Sequence, residues 1–217
     1  MLFGAGADVS DAIEQCKESR QYDKGEKLFS EGSVVRGIFC ICSGKVKLSQ
    51  DGTGGREQIF SIRGEGHILG YADVVSDESY SCSAVAMEAS RVCLVPSTPF
   101  HNLLNTNGRL AMLMARALAA ELRKAERKVV NASQLPVRER IAQTLLMLKS
   151  SYGLASDMST INCSITREEI AGIAGTTRET ATRYLYELQE AGIINLEGKK
   201  ISIRDEMRLW SLIRSKE

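Results

Sequence analysis

Hydrophobic and polar residues follow two different periods along the chain, and the change of period separates its main parts. From Gly25 to about Pro96 the chain consists of short β-rich runs, among them EKLF, GIFCICSG, EQIFSIR, HILGYADVV and RVCLV. Glycine, aspartate and serine residues separate these runs. Several short strands with turn residues between them are typical of an antiparallel barrel or roll. The first part of the chain is therefore predicted to form an antiparallel β-roll.

A single long helix is predicted from about Asn107 to Ala132, where the strong helix formers Ala, Leu, Met, Arg and Glu predominate. Its apolar residues recur at alternating spacings of four and three, as in a coiled-coil seam. We therefore expect a parallel homodimer through this helix, with a helix packed only on its own domain as the alternative. A second apolar strip, Met112 to Met114, is expected to face the β-roll. The predicted dimer seam contains Ala111, Ala115, Leu118, Leu122, Ala125 and Val129.

A domain boundary is predicted at Leu135-Pro136, because proline disfavours helical geometry in the residue before it. The chain is accordingly divided into a sensor domain at residues 1–106, a dimerisation helix at 107–133 and a C-terminal domain at 134–217. Two helices are expected in the C-terminal domain outside its central motif, at Val137–Lys149 and Glu206–Arg214, the second with Trp210 on its packed side. These helices together with the β-roll indicate the α+β class.

The central motif of the C-terminal domain, Ser164 to Asp205, predicts two short helices followed by a β-hairpin. Thr166 and Glu169 match the capping box, in which a hydroxyl and a carboxylate satisfy free amides at a helix start. Gly175 ends this helix, and the threonine pair after it supplies the N-cap of the next one, Arg178–Gln189. The apolar face of the second helix carries Ala181, Tyr184, Leu185 and Leu188.

The opposite face of the second helix is polar and carries Arg178, Glu179 and Arg183. A helix in the major groove contacts base edges with such side chains, chiefly arginine to guanine and carboxylate to cytosine. On charge alone, a solvated face with an ion pair between Glu179 and Arg183 is the alternative. We expect these three side chains to contact bases, and we assign contacts with DNA phosphates to Thr166, Arg167, Thr177, Thr182 and Lys199.

This region resembles a known family. ITREEIAGIAGTTRETATRYLYELQEAGIINLEGKKISI is similar to the winged helix-turn-helix of Crp/Fnr transcription regulators, and RIAQTLLML upstream matches as well. The resemblance extends from about Lys24 to Arg204 and is densest in the pattern TRExxxxxGxxRETxxRxL. It implies a bacterial transcription activator that binds double-stranded DNA as a homodimer and contacts RNA polymerase. Since RETxxR also stands in the cyclic-AMP-receptor branch, it implies a palindrome with TGTGA-like half-sites.

The resemblance further implies a cyclic-nucleotide-binding-like domain with its phosphate-binding cassette at Leu69–Ala86. Nucleotide-binding members use a glutamate after the cassette glycine and an Arg-Ser or Arg-Thr pair, but this chain has Tyr71 after Gly70 and Tyr80-Ser81 as the pair. A buried phosphate needs a paired cation, so cyclic AMP and cyclic GMP are disfavoured as effectors. The expected pocket for another small ligand contains Gly70, Tyr71, Tyr80, Ser81, Ser83, Leu122, Ala125 and Glu126.

The sequence contains few patterns that predict a metal or redox cofactor. The six cysteines have no CxxC pair and no neighbouring histidine, so no zinc site is expected. The iron–sulfur branch of the family carries an N-terminal cysteine cluster, whereas only Cys16 lies in the first 39 residues here. Haem binding near His67 and redox sensing through Cys40, Cys42 or Cys82 remain open alternatives.

Composition and charge narrow the function classes further. The 217 residues carry a net charge of +1, so affinity for DNA has to come from local clusters of basic residues. No apolar run has the length of a membrane span, and the first ten residues lack the basic segment of a signal peptide, so we expect a cytoplasmic protein. No set of nucleophile, base and acid suggests an enzyme. A module acting on a partner protein, or a regulator binding DNA without effector, are the alternative functions.

Overall fold

The computed structural model describes residues 18–52 and 55–214, without the side chains of residues 131–134 and 214. Cys16, which bears on the expected absence of an N-terminal cysteine cluster, therefore lies outside the described residues. Contacts group the chain into two compact units, one comprising Met1–Gln50 and Ser61–Arg127 and the other Asp51–Phe60 and Lys128–Glu217. The predicted division at residues 106 and 133 stays a prediction.

The elements are β1 (Glu18–Tyr22), β2 (Lys27–Phe29), β3 (Gly37–Ser43), β4 (Val46–Asp51), β5 (Glu57–Arg63), β6 (Ile68–Leu69), α1 (Tyr71–Ser76), β7 (Ser83–Ala86), β8 (Ser90–Pro96), α2 (Ser97–Thr106), α3 (Gly108–Gln134), α4 (Val137–Tyr152), α5 (Arg167–Ala174), α6 (Arg178–Glu190), β9 (Ile194–Glu197), β10 (Lys200–Ile203) and α7 (Glu206–Arg214).

The α+β class and the antiparallel β-roll are confirmed. Two four-stranded sheets form the roll, with strand orders β1-β8-β3-β6 and β2-β7-β4-β5. Apolar side chains fill the roll, and Tyr80 lies among them, stacked on Phe29 with 4.0 Å between ring centroids. The Tyr80 hydroxyl donates a hydrogen bond to the carbonyl of Gly37 at 2.7 Å. It also accepts from the amides of Arg36 and Gly37. Tyr80 is therefore a core residue whose polar end is fully paired.

A second apolar cluster lies on the outer face of the sheet that contains β3 and β8. There Ile38 and Val95 pack with Phe100 of α2 and with Leu110, Met114 and Ala117 of α3. The helix α3 begins with Asn107 as its N-cap, whose side-chain oxygen accepts from the amide of Leu110. The predicted apolar strip at Met112–Met114 is wrong in part, because Met112 is 56% exposed. The buried roll contacts follow the i, i+4, i+7 row Leu110–Met114–Ala117, and Leu113 and Leu118 pack half-buried beside it.

The strand predicted for HILGYADVV ends at Leu69, and this prediction is wrong beyond that point. Gly70 adopts a left-handed conformation with φ 72°, and the chain continues as the helix α1. A Cβ at Gly70 would lie 2.9 Å from the Tyr80 ring, so glycine is required by close packing as well as by φ. Tyr71 and Val74, three residues apart, then bury their side chains in the outer cluster. This tertiary contact determines the helical conformation of the segment.

The C-terminal unit contains the helices α4 to α7 and the β9–β10 hairpin. Its core is built from one face of each helix, and the apolar face predicted for α6 is buried through Ala181, Leu185 and Leu188. α4 is longer than predicted and ends at Tyr152, with Gly153 as its C-cap. Trp210 does not lie on the packed side of α7, because it is 41% exposed whereas Leu209 beside it is fully buried. The buried residues include Ile141, Leu145, Leu148, Ile170, Ala181, Leu185, Leu188 and Leu209.

We predict that Tyr80→Phe lowers the free energy of unfolding of the roll by about 1–3 kcal/mol, because it leaves buried polar groups around Gly37 without their partner. Urea denaturation followed by circular dichroism measures the change. Tyr22→Phe is the matched control, since Tyr22 is also buried but its hydroxyl forms no hydrogen bond within the described residues. Equal losses in the two variants would contradict the assigned role of the Tyr80 hydroxyl.

Candidate nucleic-acid interface

The helix α5 begins with the predicted capping box, which is confirmed. The Thr166 hydroxyl accepts from the amide of Glu169 at 3.1 Å, and the Glu169 carboxylate accepts from the amide of Thr166 at 2.8 Å. The carboxylate also accepts from the Thr166 hydroxyl at 2.9 Å. The two residues thus satisfy each other's polar groups and fix where α5 starts.

The turn between α5 and α6 is fixed by one glycine and one arginine. Gly175 ends α5 in the left-handed conformation, with φ 64°. The Arg140 guanidinium donates to the carbonyls of Ala174 at 2.9 Å, Gly175 at 3.2 Å and Leu135 at 3.3 Å. It thereby satisfies carbonyl groups that the end of a helix leaves without partners. The role of Arg140 could not be predicted from the sequence, because a separation of 34 residues from Ala174 produces no local pattern.

The helix α6 begins at the predicted cap, since the Thr177 hydroxyl accepts from the amide of Thr180. Its apolar face is buried through Ala181, Leu185 and Leu188, while Tyr184 is only half-buried. The polar face is exposed along Arg178, Glu179 and Arg183. The Arg183 guanidinium lies 4.6 Å from the centroid of the Tyr184 ring, a cation–π geometry. These three charged side chains are accordingly accessible to a ligand outside the helix pair.

The β9–β10 hairpin forms the predicted wing beside α6. Gly198, with φ 58°, and Lys199 form its two-residue turn, and Lys199 is exposed. The Gln189 side-chain oxygen accepts from the amide of Leu196 at 2.8 Å, which joins the wing to α6. The Lys199 carbonyl accepts from the amide of Ile165, just before α5, at 3.2 Å. The wing is thus hydrogen-bonded both to α6 and to the segment that leads into α5.

The other residues assigned to phosphates differ in how available they are. The hydroxyls of Thr166 and Thr177 serve as helix caps, and the Thr182 hydroxyl donates to the carbonyl of Arg178 at 2.7 Å. Arg167, the first residue of α5, is half-buried, and burial lowers the pKa of its guanidinium. Its buried Nη1 has no hydrogen-bond partner in the described part of the chain. The base and phosphate assignments for these residues stay predictions.

The predicted effector residues are not gathered in one place. Gly70 lies against the Tyr80 ring of the roll core and Tyr71 lies in the outer cluster, whereas the α3 residues Leu122, Ala125 and Glu126 are exposed. The hydroxyl of Ser83, in the cassette, accepts a hydrogen bond from the amide of Glu31 at 3.0 Å. The amide of Ser81 donates to the side chain of Asp73, a buried carboxylate, at 3.1 Å. Two of the groups expected to hold a ligand, the Ser83 hydroxyl and the Ser81 amide, are therefore hydrogen-bonded within the protein.

An ion pair lies beside Tyr71 in the same unit. The Arg63 guanidinium contacts the Glu121 carboxylate of α3 at 2.5 Å, and Lys124 contacts the same carboxylate at 3.0 Å. Burial, assisted by the charge of Glu121, raises the pKa of the Tyr71 phenol. The half-buried cation Arg63 is therefore neutralised by the protein's own carboxylate.

The candidate haem and redox residues are also placed by the structure. His67 is exposed and its Nδ1 lies 3.1 Å from the carbonyl of Gly64, while His101 Nε2 lies 3.3 Å from the carboxylate of Asp77. Burial raises the pKa of the Cys82 thiol to about 12. Within residues 18–52 and 55–214, no three His, Cys, Asp or Glu side chains are grouped as metal ligands. Nor does any helix of those residues have the length and apolar character needed to span a membrane.

We predict that Arg140→Met lowers the free energy of unfolding of the C-terminal unit by about 1.5–3 kcal/mol, because helix-end carbonyls lose a charged donor. The fluorescence of Trp210, the single tryptophan, reports thermal unfolding of this unit. Arg138→Met, an exposed position on the same helix, is the control and should leave the transition unchanged. If both variants shifted it equally, loss of charge rather than of capping would explain the effect.

Comparison with known proteins agrees with this arrangement. A model of the cyclic nucleotide-binding domain matches residues 19–107, and a model of the Crp-like helix-turn-helix domain matches residues 139–212. The chain is 29% identical over 206 residues to the Cyclic AMP receptor protein of Thermus thermophilus, with 94% of this chain and 92% of the relative covered. It is 28% identical over 208 residues to the Transcriptional activator protein anr of Pseudomonas aeruginosa, with 94% and 84% covered.

Solved structures agree as well. The structure of FixK2 from Bradyrhizobium japonicum superimposes with a TM-score of 0.78 at 25% identity, covering 90% of this chain and 96% of the other. The two matched models occur in the order in which the β-roll and the winged helix-turn-helix occur here. The chain therefore belongs to the Crp/Fnr family of DNA-binding transcription regulators.

Proposed function

We propose that the protein binds a palindromic DNA site as a homodimer and places α6 of each protomer in the major groove. The observation that carries this proposal is the exposed row Arg178, Glu179 and Arg183 on a helix whose other face is buried. Side chains near the start of such a helix reach base edges, and arginine pairs best with guanine. TGTGA-like half-sites about one helical turn apart supply G·C pairs for these residues. Transcription activation through RNA polymerase, without enzymatic activity, belongs to the same proposal.

Contacts with the DNA backbone are assigned to residues around this row. Lys199 at the wing tip supplies an exposed positive charge for a phosphate, which adds affinity without sequence preference. Arg167 supports the assignment in another way, because its Nη1 is buried without an acceptor among the described residues. An unpaired donor of this kind carries a desolvation cost of about 1–3 kcal/mol. A phosphate near the start of α5 would relieve that cost if the side chain turned outward.

Dimerisation is assigned to α3. Beyond Ala117 the helix has no buried residue within its described side chains, and Leu122 and Val129 of the predicted seam are 61% and 70% exposed. Apolar residues seven apart on one stripe are the pattern that pairs two helices. A second copy would cover this stripe and hold two α6 helices at a fixed separation.

The proposed regulator does not need a cyclic nucleotide for DNA binding. The Thermus thermophilus relative is named a cyclic AMP receptor, but in this chain Tyr80 fills core space at the position of the phosphate-binding arginine. The Asp73 carboxylate accepts a hydrogen bond from the amide of Ser81, and Arg63 is paired with Glu121. An incoming phosphate would meet a carboxylate and no unneutralised cation among these residues. A module acting only on a partner protein is separated from this proposal by a gel shift with DNA.

We predict that Arg178→Ala reduces discrimination at one G·C pair of the half-site by about 1–3 kcal/mol, because a bidentate contact with guanine is lost. A binding selection from random DNA, followed by titration of single-base variants, measures the change. Lys199→Ala is the matched comparison and should weaken binding to all sequences alike, with a salt slope smaller by about one. A wild-type selection without any G·C preference in the half-site would exclude the base assignment.

We predict that Leu122→Glu dissociates the dimer and lowers DNA affinity, because it places like charges opposite each other in the seam. Sedimentation velocity measures the oligomeric state, and a gel shift on the palindrome measures affinity. Arg127→Glu is the control, since Arg127 is exposed on the side of α3 away from the seam. A Leu122→Glu variant that stays dimeric at micromolar concentration would refute pairing through this stripe.

A further inference from the structure

A pair of cysteine thiols lies between the adjacent strands β3 and β8. Cys40 and Cys93 are opposite each other in the antiparallel ladder, followed by Ile41 and Val92. The ladder then shifts, because Ser43 pairs with Arg91 and the register passes over Cys42. Cys42 is therefore the extra residue of a β-bulge, a feature that redirects side chains.

The bulge brings Cys42, rather than the ladder neighbour Cys40, to the thiol of Cys93. The Sγ atoms of Cys42 and Cys93 are 3.2 Å apart. A disulfide has its sulfurs about 2.05 Å apart, so a movement of about 1 Å would join them. The two thiols also differ in exposure, since Cys42 is half-buried and Cys93 is 4% exposed. One thiol can thus meet a small solute, with a shielded thiol beside it.

We propose that Cys42 and Cys93 form a dithiol that peroxides oxidise to a disulfide, and that this reaction lowers DNA affinity. The Cys42 thiol attacks one oxygen of hydrogen peroxide, the O–O bond breaks, and Cys42 sulfenic acid and one water form. The Cys93 sulfur then attacks the Cys42 sulfur, the S–O bond breaks, and a second water leaves with the Cys93 proton. In total two thiols lose two electrons to one peroxide and one disulfide forms.

The position of the pair connects it with the dimerisation helix. Ile38 and Val95 are ladder partners on the same face of β3 and β8, and they pack against α3. Cys40, next in that row, also packs against this cluster. Closing the sulfur gap requires the bulge to move, and a close-packed face transmits such a movement to its neighbours. The effect on DNA affinity rests on the proposed function, whereas formation of the disulfide does not.

The chemical test uses the reduced full-length protein, hydrogen peroxide, alkylation of remaining thiols and mass mapping of tryptic peptides without reduction. We expect residues 37–45 to be linked to residues 92–109, and dithiothreitol to reverse the link. Because residues 37–45 contain both Cys40 and Cys42, single variants identify the linked sulfur. Cys42→Ser should abolish the link, whereas Cys40→Ser, two residues away in the same strand, should preserve it. A link that needs Cys40, or that joins Cys16, Cys163 or a second protomer instead, overturns the proposal.

The functional test compares DNA affinity before and after oxidation in the same preparations. We expect oxidation to weaken binding by about fivefold or more in the wild-type protein and in Cys40→Ser, the lower end of usual allosteric coupling. Cys42→Ser and Cys93→Ala should bind equally before and after peroxide. Unchanged wild-type affinity despite the mapped disulfide overturns the regulatory part. Failure of the reduced protein to bind DNA would instead refute the proposed function, and the peptide map would still decide whether the dithiol forms.

Discussion

The fixed turn between α5 and α6 is the constraint on which the DNA-binding surface depends. A helix-turn-helix works only if its second helix is held at one angle, since every base contact is set by that orientation. Here a left-handed Gly175, the Thr177 cap and the Arg140 guanidinium each satisfy groups that the two helix ends would otherwise expose. The buried side of α6 then determines, by helical geometry alone, that Arg178 and Arg183 face outward.

A second constraint acts in the roll, and it supports the proposal that DNA binding needs no cyclic nucleotide. Charge buried in a protein has to be paired, and two of the groups around the cassette are already paired within the protein. Arg63 is matched by Glu121, and the cassette amide of Ser81 is matched by Asp73. Tyr80 adds a volume effect, because its ring is part of the roll core and stacks on Phe29. Charge and volume thus both support the proposal that the cassette does not hold a cyclic nucleotide.

Features that are set by neighbours along the chain could be predicted from the sequence. The capping box of Thr166 and Glu169 spans four residues, and the wing turn at Gly198 and Lys199 spans two, so both could be predicted. The antiparallel roll followed from strand length and turn spacing, and the family pattern supplied its architecture. The same local reasoning placed Arg178, Glu179 and Arg183 on the exposed face of α6.

The features that could not be predicted depend on contacts between distant residues. α1 forms because Gly70 must avoid the Tyr80 ring and Tyr71 must reach the outer cluster, and neither demand is visible in HILGYADVV. Cys40 and Cys42 are equivalent in a regular strand, and only the bulge makes Cys42 the neighbour of Cys93. Local patterns therefore predicted the elements of the candidate site, and tertiary packing determined which of its groups are available.

The helix α3 shows why the monomer is physically incomplete under the proposed function. Its 27 residues extend about 40 Å, but among its described side chains only Leu110, Met114 and Ala117 are buried, all in its first half. Helices gain most of their stability from packing an apolar face, whereas the contacts of the second half of α3 are polar, such as that of Glu121 with Arg63. Pairing two copies along Leu122 and Val129 would provide that packing. Helix stability and dimerisation would then be coupled, so a disturbance beneath the first half of α3 could affect the separation of the two DNA-binding surfaces.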